Sequence, residues 1–396
     1  MEERAGSPAR AAVGAAFLMA TSAIGPGFLT QTAVFTDRLR TSFAFAILVS
    51  ILVDLAVQVN VWCVLGVARK RGQEVANALV PGLGVVLALL VAPGGLVFNV
   101  GNVAGCGLGL AAAFGVPVWL GATLSAAFAA VLLARPAAGQ KVDSFAKVLG
   151  GVMILLTATV MLATGPDYGA ALRASVWPDR VEMLPILTIV GGTVGGYISF
   201  SGAHRLLDSG VGGVGSLPTL RRAAGLGILV AGVMRVLLFL AVLGVVSRAG
   251  ALDPANPAAS AFRLGAGEWG YRLFGLILWS AAITSVVGCT YTSLTFFRGS
   301  SSRFAWATSR RGPYFFVGVS LAVFLFLQNP VRLLILAGSL NGLILPLTLA
   351  VVLLAARRRD LMGEYRHPSL LAMAGWVAFL VSVYAGVISV LELRSL

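Results

Sequence analysis

Two apolar stretches are broken where a helix should continue: Ala23-Ile24-Gly25-Pro26-Gly27-Phe28, and Gly191-Gly192-Thr193-Val194-Gly195-Gly196-Tyr197 about 170 residues later. Inside a bilayer every backbone N–H and C=O must be satisfied, so broken helix is tolerated only under protein cover or along a cavity. Paired breaks in corresponding places of two halves point to the binding site of a transporter. The residues placed to touch a solute are Ile24, Gly25, Gly27, Phe28, Thr30, Gln31 and Thr32 at the first break, and Tyr197, Ser199 and Ser201 at the second. Their chemistry is that of neutral oxygens and freed carbonyls, with helix C-terminal ends adding partial negative charge. Such a set holds a solute and does not transform it. No nucleophile–base pair and no metal-ligand cluster of His, Cys and carboxylates stands out, so the pattern is not that of an enzyme.

A few ionisable or amide groups lie inside apolar runs, where they are functional by default. Asp54 is either the counter-charge for a cation or the partner of Arg235. Asn99 and Asn102, three apart, share a helical face and suit interhelical hydrogen bonding or a cavity wall. His204, just past the second break, either titrates or fixes the half-helix by hydrogen bonds. Arg205 with Asp208 forms a gate pair or a plain interfacial ion pair.

These groups need a membrane around them. The chain has 396 residues, 58% hydrophobic and 11% charged, with a mean hydropathy of +0.92. A soluble domain carries roughly 25% charged residues, so lipid must be the solvent. Cys63, Cys106 and Cys289 all sit in apolar runs and read as small buried hydrophobes. The net charge of +14 does not indicate nucleic acid, because the basic residues fall in short segments between apolar runs. Residues 11–24 resemble a signal peptide, but the apolar run continues to Phe35, so the segment reads as a first membrane helix.

Runs of about 20 apolar residues give eleven spans, near 12–36, 42–67, 82–114, 117–134, 144–164, 184–209, 222–247, 270–296, 312–328, 331–356 and 370–391. With the N-terminus inside, nineteen Lys and Arg fall on one side and nine on the other, which predicts a cytoplasmic N-terminus and an external C-terminus at the cell membrane. The expected architecture is an all-α integral membrane protein with two inverted five-helix repeats, 12–164 and 184–356, each opening on a broken helix, and an appended span at 370–391.

At these residues the chain resembles the NRAMP family of transporters. Gly25-Pro26-Gly27 sits where the family carries D-P-G-N. Phe114-Gly115-Val116-Pro117-Val118-Trp119-Leu120-Gly121 is similar to its link between helices three and four, and Leu340-Asn341-Gly342 with Leu345-Pro346-Leu347 is similar to its tenth helix. The resemblance implies a LeuT-type fold and import of divalent transition metals, commonly with protons. It also adds Gly338 and Asn341 to the site. Carried over residue by residue, the metal-binding aspartate falls on Gly25, the asparagine on Phe28, the tenth-helix glutamine on Gly338 and the third-helix acids on Asn99 and Asn102. The sixth-helix Met-Pro-His is replaced by Tyr197-Ile198-Ser199-Phe200-Ser201-Gly202. This combination resembles the NRAMP-related magnesium transporters, and implies Mg²⁺ or Mn²⁺ as cargo, lying against Gly25 and Ser199, without proton coupling.

The chemistry agrees. A thioether beside a carboxylate selects a dehydrated transition metal, and both are missing here. Mg²⁺ keeps several waters and asks for volume and neutral oxygens, which Gly25 and Gly338 with Thr30, Gln31, Thr32, Ser199 and Ser201 are expected to supply. An inside-negative potential drives a dication by about 4.6 kcal/mol per 100 mV, twice the single-charge value. The sequence therefore predicts a monomeric, uncoupled carrier in lipid, with no resident cofactor and no nucleic-acid partner. A carrier of the same fold for an amino acid or amine is the rival, since half-helix N-termini also bind carboxylates.

Overall fold

Long apolar runs leave their backbone polar groups no partner but one another, so they fold as helices. The computed structural model describes residues 23–298 and 305–394, and residues 12–22 of the first predicted span lie outside them. The helices that matter here are α1 (Pro26–Leu39), α2 (Phe43–Ala68), α3 (Gly72–Leu79), α4 (Leu83–Phe114), α5 (Val118–Ala134), α6 (Pro136–Thr164) and α7 (Tyr168–Val176). They continue with α8 (Met183–Val194), α9 (Ile198–Asp208), α10 (Leu217–Ala249), α11 (Pro257–Thr295), α12 (Gly312–Leu327), α13 (Pro330–Ala355) and α14 (Ser369–Arg394).

Among the described residues eight stretches are long and apolar enough to cross a membrane. The first, Pro26–Ala68, runs through α1 and α2 across a 3-10 turn at Arg40–Ser42. α5 and α12 are apolar but shorter. Leu52, Leu155, Leu162 and Phe326 stand on the outside of the bundle, as side chains do when lipid surrounds them. The protein is a multi-pass membrane protein. Two elements escaped the sequence reading. α7 is a short helix between apolar runs, and α11 begins at Pro257, thirteen residues before the predicted span at 270. Gly267, with φ 70°, interrupts α11, and the charged Arg263, Glu268 and Arg272 around it delay the start of the apolar run.

Packing between helices rests on small residues that let backbones approach. A methyl group built on Gly105 of α4 would lie 2.2 Å from Pro26 Cβ, and one on Gly109 would lie 2.5 Å from the backbone nitrogen of Trp279. The glycine stripe of α4 therefore carries both the first helix break and α11. α8 packs against α13, and α2 against α10.

The link into α14 is fastened to α2 by a chain of hydrogen bonds. Arg221 Nη2 donates to the Tyr365 hydroxyl (3.2 Å), that hydroxyl donates to His367 Nδ1 (3.2 Å), and His367 Nε2–H donates to Asn60 Oδ1 (2.8 Å). Asn60 in turn donates to Leu371 O (3.0 Å). Burial, reinforced by the positive charge of Arg221, lowers the His367 pKa from 6.5 to about 4. The docked link thus holds His367 neutral, while an undocked link binds a proton below about pH 6.5. Docking is complete above that pH and weakens as pH falls toward 4. The protection factors of amides across residues 364–371, measured against their intrinsic exchange rates, are expected to fall between pH 6.5 and 4.5, and His367→Gln to flatten that dependence; an unchanged profile in the variant would show that another group titrates.

Candidate substrate site at the helix breaks

The first break is short. Gly25 is extended (φ −91°, ψ −175°) and α1 starts at Pro26, whose missing N–H costs nothing at a first helical position. The second is narrower than its glycines suggest. Gly191 to Val194 remain helical in α8, and the interruption is confined to Gly195, Gly196 and Tyr197. Gly196 has φ 52°, the left-handed region that glycine enters freely. Gly191 instead serves close approach, since a Cβ there would lie 2.0 Å from Gly338 O.

Three side chains join the breaks. The Phe98 ring of α4 lies beside Gly27, 3.9 Å from where its Cβ would be, and meets Tyr197 edge-on with centroids 5.5 Å apart. Asn341 of α13 donates to Gly94 O (3.0 Å) and Ala337 O (2.8 Å). That leaves its Oδ1 free of hydrogen bonds and 1.8 Å from the position a Gly196 Cβ would take. Gln31 of α1 donates to Leu334 O (2.7 Å), and its Oε1 is 2.8 Å from the corresponding position on Gly192.

The volume expected at Gly338 is not open. A Cβ there would lie 2.5 Å from Gln31 Nε2 and 2.6 Å from Thr188 O, so Gln31 and α8 fill the space. Phe28 is buried, as are Gly25, Gly27, Thr30, Thr32, Ser199 and Ser201. Ile24 is half-buried and lines a cavity of about 220 Å³ with Leu29, Met153, Met234, Ile277 and Ser280. This space is lined largely by apolar side chains, two methionines among them.

The breaks are surrounded by neutral polar atoms that lack partners. Thr30 Oγ1, Gln31 Oε1, Gln58 Oε1, both polar atoms of Asn102, the Tyr197 hydroxyl, Ser199 Oγ, Ser201 Oγ and Asn341 Oδ1 are buried and make no hydrogen bond. Burying such a group unpaired costs roughly 1–3 kcal/mol. Thr32 is satisfied within α1, donating to Phe28 O (2.7 Å). Asn99 donates to Ser320 Oγ (3.0 Å). Ser199 O accepts from Trp62 Nε1 (3.1 Å) and Gln58 Nε2 (3.3 Å). Phe98 and Trp62 were not legible beside the breaks, because the apolar residues of a buried helix look alike until the neighbouring helix is placed.

Asp54 and Arg235 meet. Arg235 Nη1 lies 3.5 Å from Asp54 Oδ2, donates to Ser50 Oγ (3.0 Å), and Nη2 donates to the Thr193 hydroxyl. The guanidinium carbon stands 4.5 Å from the centroid of the Phe28 ring. The pair touches the helices beside both breaks, α1 at Phe28 and α8 at Thr193. Among the described residues no three His, Cys, Asp or Glu cluster as a metal site would need.

His204 is held on both nitrogens. Nε2 accepts from the Gly72 N–H (3.2 Å) and Nδ1 is 3.0 Å from Thr295 Oγ1, whose own proton goes to Thr292 O (2.6 Å). The Nδ1–H tautomer satisfies that network. His204 thus anchors α9 to α11 and α3. Asp208 does not pair with Arg205, which is exposed. It accepts instead from Arg71 and from the Tyr291 hydroxyl, with Arg298 Nη1 at 3.5 Å. Those partners close one end of the bundle across α9, α11 and the start of α3.

Comparison with known proteins agrees with this geometry. The chain is 49% identical over 375 residues to the uncharacterized membrane protein YcsG of Bacillus subtilis, covering 95% of this chain and 93% of that one. It is 46% identical over 382 residues to an uncharacterized membrane protein of Haemophilus influenzae, covering 95% of each. In structure it is similar to the manganese transporter of Eremococcus coleocola, with a TM-score of 0.77 at 15% identity over 96% of this chain and 86% of the other. It is similar also to MhsT, solved with L-phenylalanine, with a TM-score of 0.63 at 15% identity over 95% and 98%. The helices accordingly adopt a LeuT-like fold. A profile for natural resistance-associated macrophage protein-like sequences matches residues 16–392, and the chain belongs to the Nramp family.

Proposed function

We propose that the protein is a secondary carrier of divalent cations, with Mg²⁺ preferred and Mn²⁺ accepted, working by alternating access and without proton coupling. The observation that carries this reading is the set of unpartnered neutral oxygens around the breaks, from Thr30, Gln31, Asn102, Tyr197, Ser199 and Asn341. An ion that keeps its waters presents O–H donors outward, and such oxygens accept them. Mg²⁺ binds in this way because it dehydrates reluctantly. Manganese transport by the Eremococcus coleocola protein of like fold supports a divalent cargo. Asn99 and Asn102 do not titrate, and His204 is held between Gly72 and Thr295, which supports transport without a proton relay through these three positions. The topology that goes with this function is eleven spans in two inverted repeats, 12–164 and 184–356, followed by 370–391, in a monomer whose N-terminus is cytoplasmic.

A second reading is favoured by one observation. Arg235 Nε makes no hydrogen bond and the guanidinium sits at the site, as a small organic carboxylate would require. Proteoliposomes loaded with a pH-sensitive dye separate the two. Mg²⁺ and Mn²⁺ uptake without movement of protons is expected. Uptake of radiolabelled amino acids with no dication flux would overturn the cation reading, and Mg²⁺-driven acidification would overturn the absence of coupling.

A further inference from the structure

Asp54 and Arg235 are each about 1% exposed, yet they are joined by a single contact of 3.5 Å. A charge-assisted hydrogen bond between such groups normally spans about 2.7–2.9 Å, and often two of them form. Here Asp54 Oδ1 and Arg235 Nε make no hydrogen bond of good geometry, and Thr193 is the further polar neighbour of the carboxylate. A buried ion pair is costly unless its remaining lone pairs and protons are satisfied, so an idle carboxylate oxygen in the bundle interior calls for a physical explanation.

The guanidinium is better held by its other neighbours than by Asp54. It donates to Ser50 Oγ and to the Thr193 hydroxyl, and lies over the Phe28 ring. All of these are neutral, so Arg235 has a resting place that does not depend on the carboxylate. The location is also specific. Phe28 is three residues after Gly25, and Thr193 is two residues before Gly195, so the pair contacts the first turn of the helix that follows one break and the last turn of the helix that precedes the other.

Resting on the divalent-cation reading above, we propose that Asp54 is a ligand position for the transported cation and that Arg235 is a tethered cation occupying it while the site is empty. Guanidinium and dication exchange for one carboxylate. A dication at a given distance gains twice the Coulomb energy of a monocation, so it displaces the guanidinium onto its neutral partners, whereas Na⁺ or K⁺ gains no advantage over it. Arg235 thereby sets selectivity by valence. The exchange supplies the counter-charge that an ion among neutral oxygens otherwise lacks, and returns the pair to neutrality once the ion leaves.

The test is Mg²⁺ uptake into proteoliposomes with Na⁺ as competitor, together with equilibrium binding of Mn²⁺ to the purified full chain. Arg235→Gln is expected to lower the KM for Mg²⁺ at least tenfold and to let Na⁺ compete. Asp54→Asn is expected to raise the KM at least tenfold and weaken Mn²⁺ binding by a similar factor. Because Arg235→Gln leaves Asp54 alone in the interior, Arg235→Lys serves as a second variant that keeps the charge. It is expected to fold and to retain exclusion of Na⁺. Wild-type dication transport with KM and Na⁺ competition unchanged in Arg235→Gln, or with Mn²⁺ binding unchanged in Asp54→Asn, overturns the exchange alone. A wild-type protein that moves no dication, and whose carboxylate uptake disappears in Arg235→Gln, overturns the divalent-cation reading together with it.

Discussion

Gly196→Ala is expected to reduce uptake at least about a hundredfold while the protein still inserts in the membrane. The backbone at Gly196 has φ 52°, which costs a residue bearing Cβ about 1–2 kcal/mol. The added methyl would also fall 1.8 Å from Asn341 Oδ1. Asn341 cannot retreat freely, because its amide holds Gly94 O and Ala337 O, and each such bond is worth about 1 kcal/mol. Together these effects approach 3 kcal/mol, a factor of about a hundred when they bear on the transport step. Gly318→Ala is the control, since nothing stands within 4 Å of its Cβ position. Wild-type uptake by Gly196→Ala would show that the left-handed turn at the second break is dispensable.

The second large effect is expected of Gly25→Asp. The extended backbone at Gly25 accepts any L-residue, so the substitution adds a carboxylate to the first break without straining the backbone. A unit charge pair at 4 Å is worth about 4 kcal/mol at an effective dielectric of 20, and double for a dication, before desolvation offsets most of it. The KM for dications is expected to fall at least about tenfold, which is about 1.4 kcal/mol. Mn²⁺ is expected to gain over Mg²⁺, because a direct carboxylate ligand rewards the ion that sheds water more readily. Turnover should drop as release slows. Parallel Mg²⁺ and Mn²⁺ titrations of uptake check this, and an unchanged ratio of the two would place the cargo away from Gly25.

Much of the framework was legible in the chain itself. The apolar runs located the helices, and Gly-Pro-Gly located the first break, because proline withholds the amide donor that would continue a helix through it. The second break was legible in place but not in extent. Gly191 and Gly192 looked like part of it, yet they are helical, and their missing side chains make room for α13 and for Gln31. A run of glycines marks either a bent backbone or a close neighbour, and nothing in its own sequence distinguishes the two. Asp208 shows a similar limit. Arg205, three residues away on the same helix, is the partner that spacing suggests, whereas α3 and α11 bring Arg71, Tyr291 and Arg298 to it.

By itself the sequence determined that this chain lives in lipid as a bundle of helices, that two of them are interrupted, and that Asp54 and Arg235 are charges stranded in apolar runs. These follow from neighbours along the chain, through hydropathy and allowed φ. Only the tertiary structure decided that Asp54 and Arg235, 181 residues apart, share one loose contact. It also decided that Phe98 bridges the breaks and that Asn341 reaches Gly196. Such encounters depend on how whole helices seat against each other, and that is set by close packing summed over many residues and not by any local pattern.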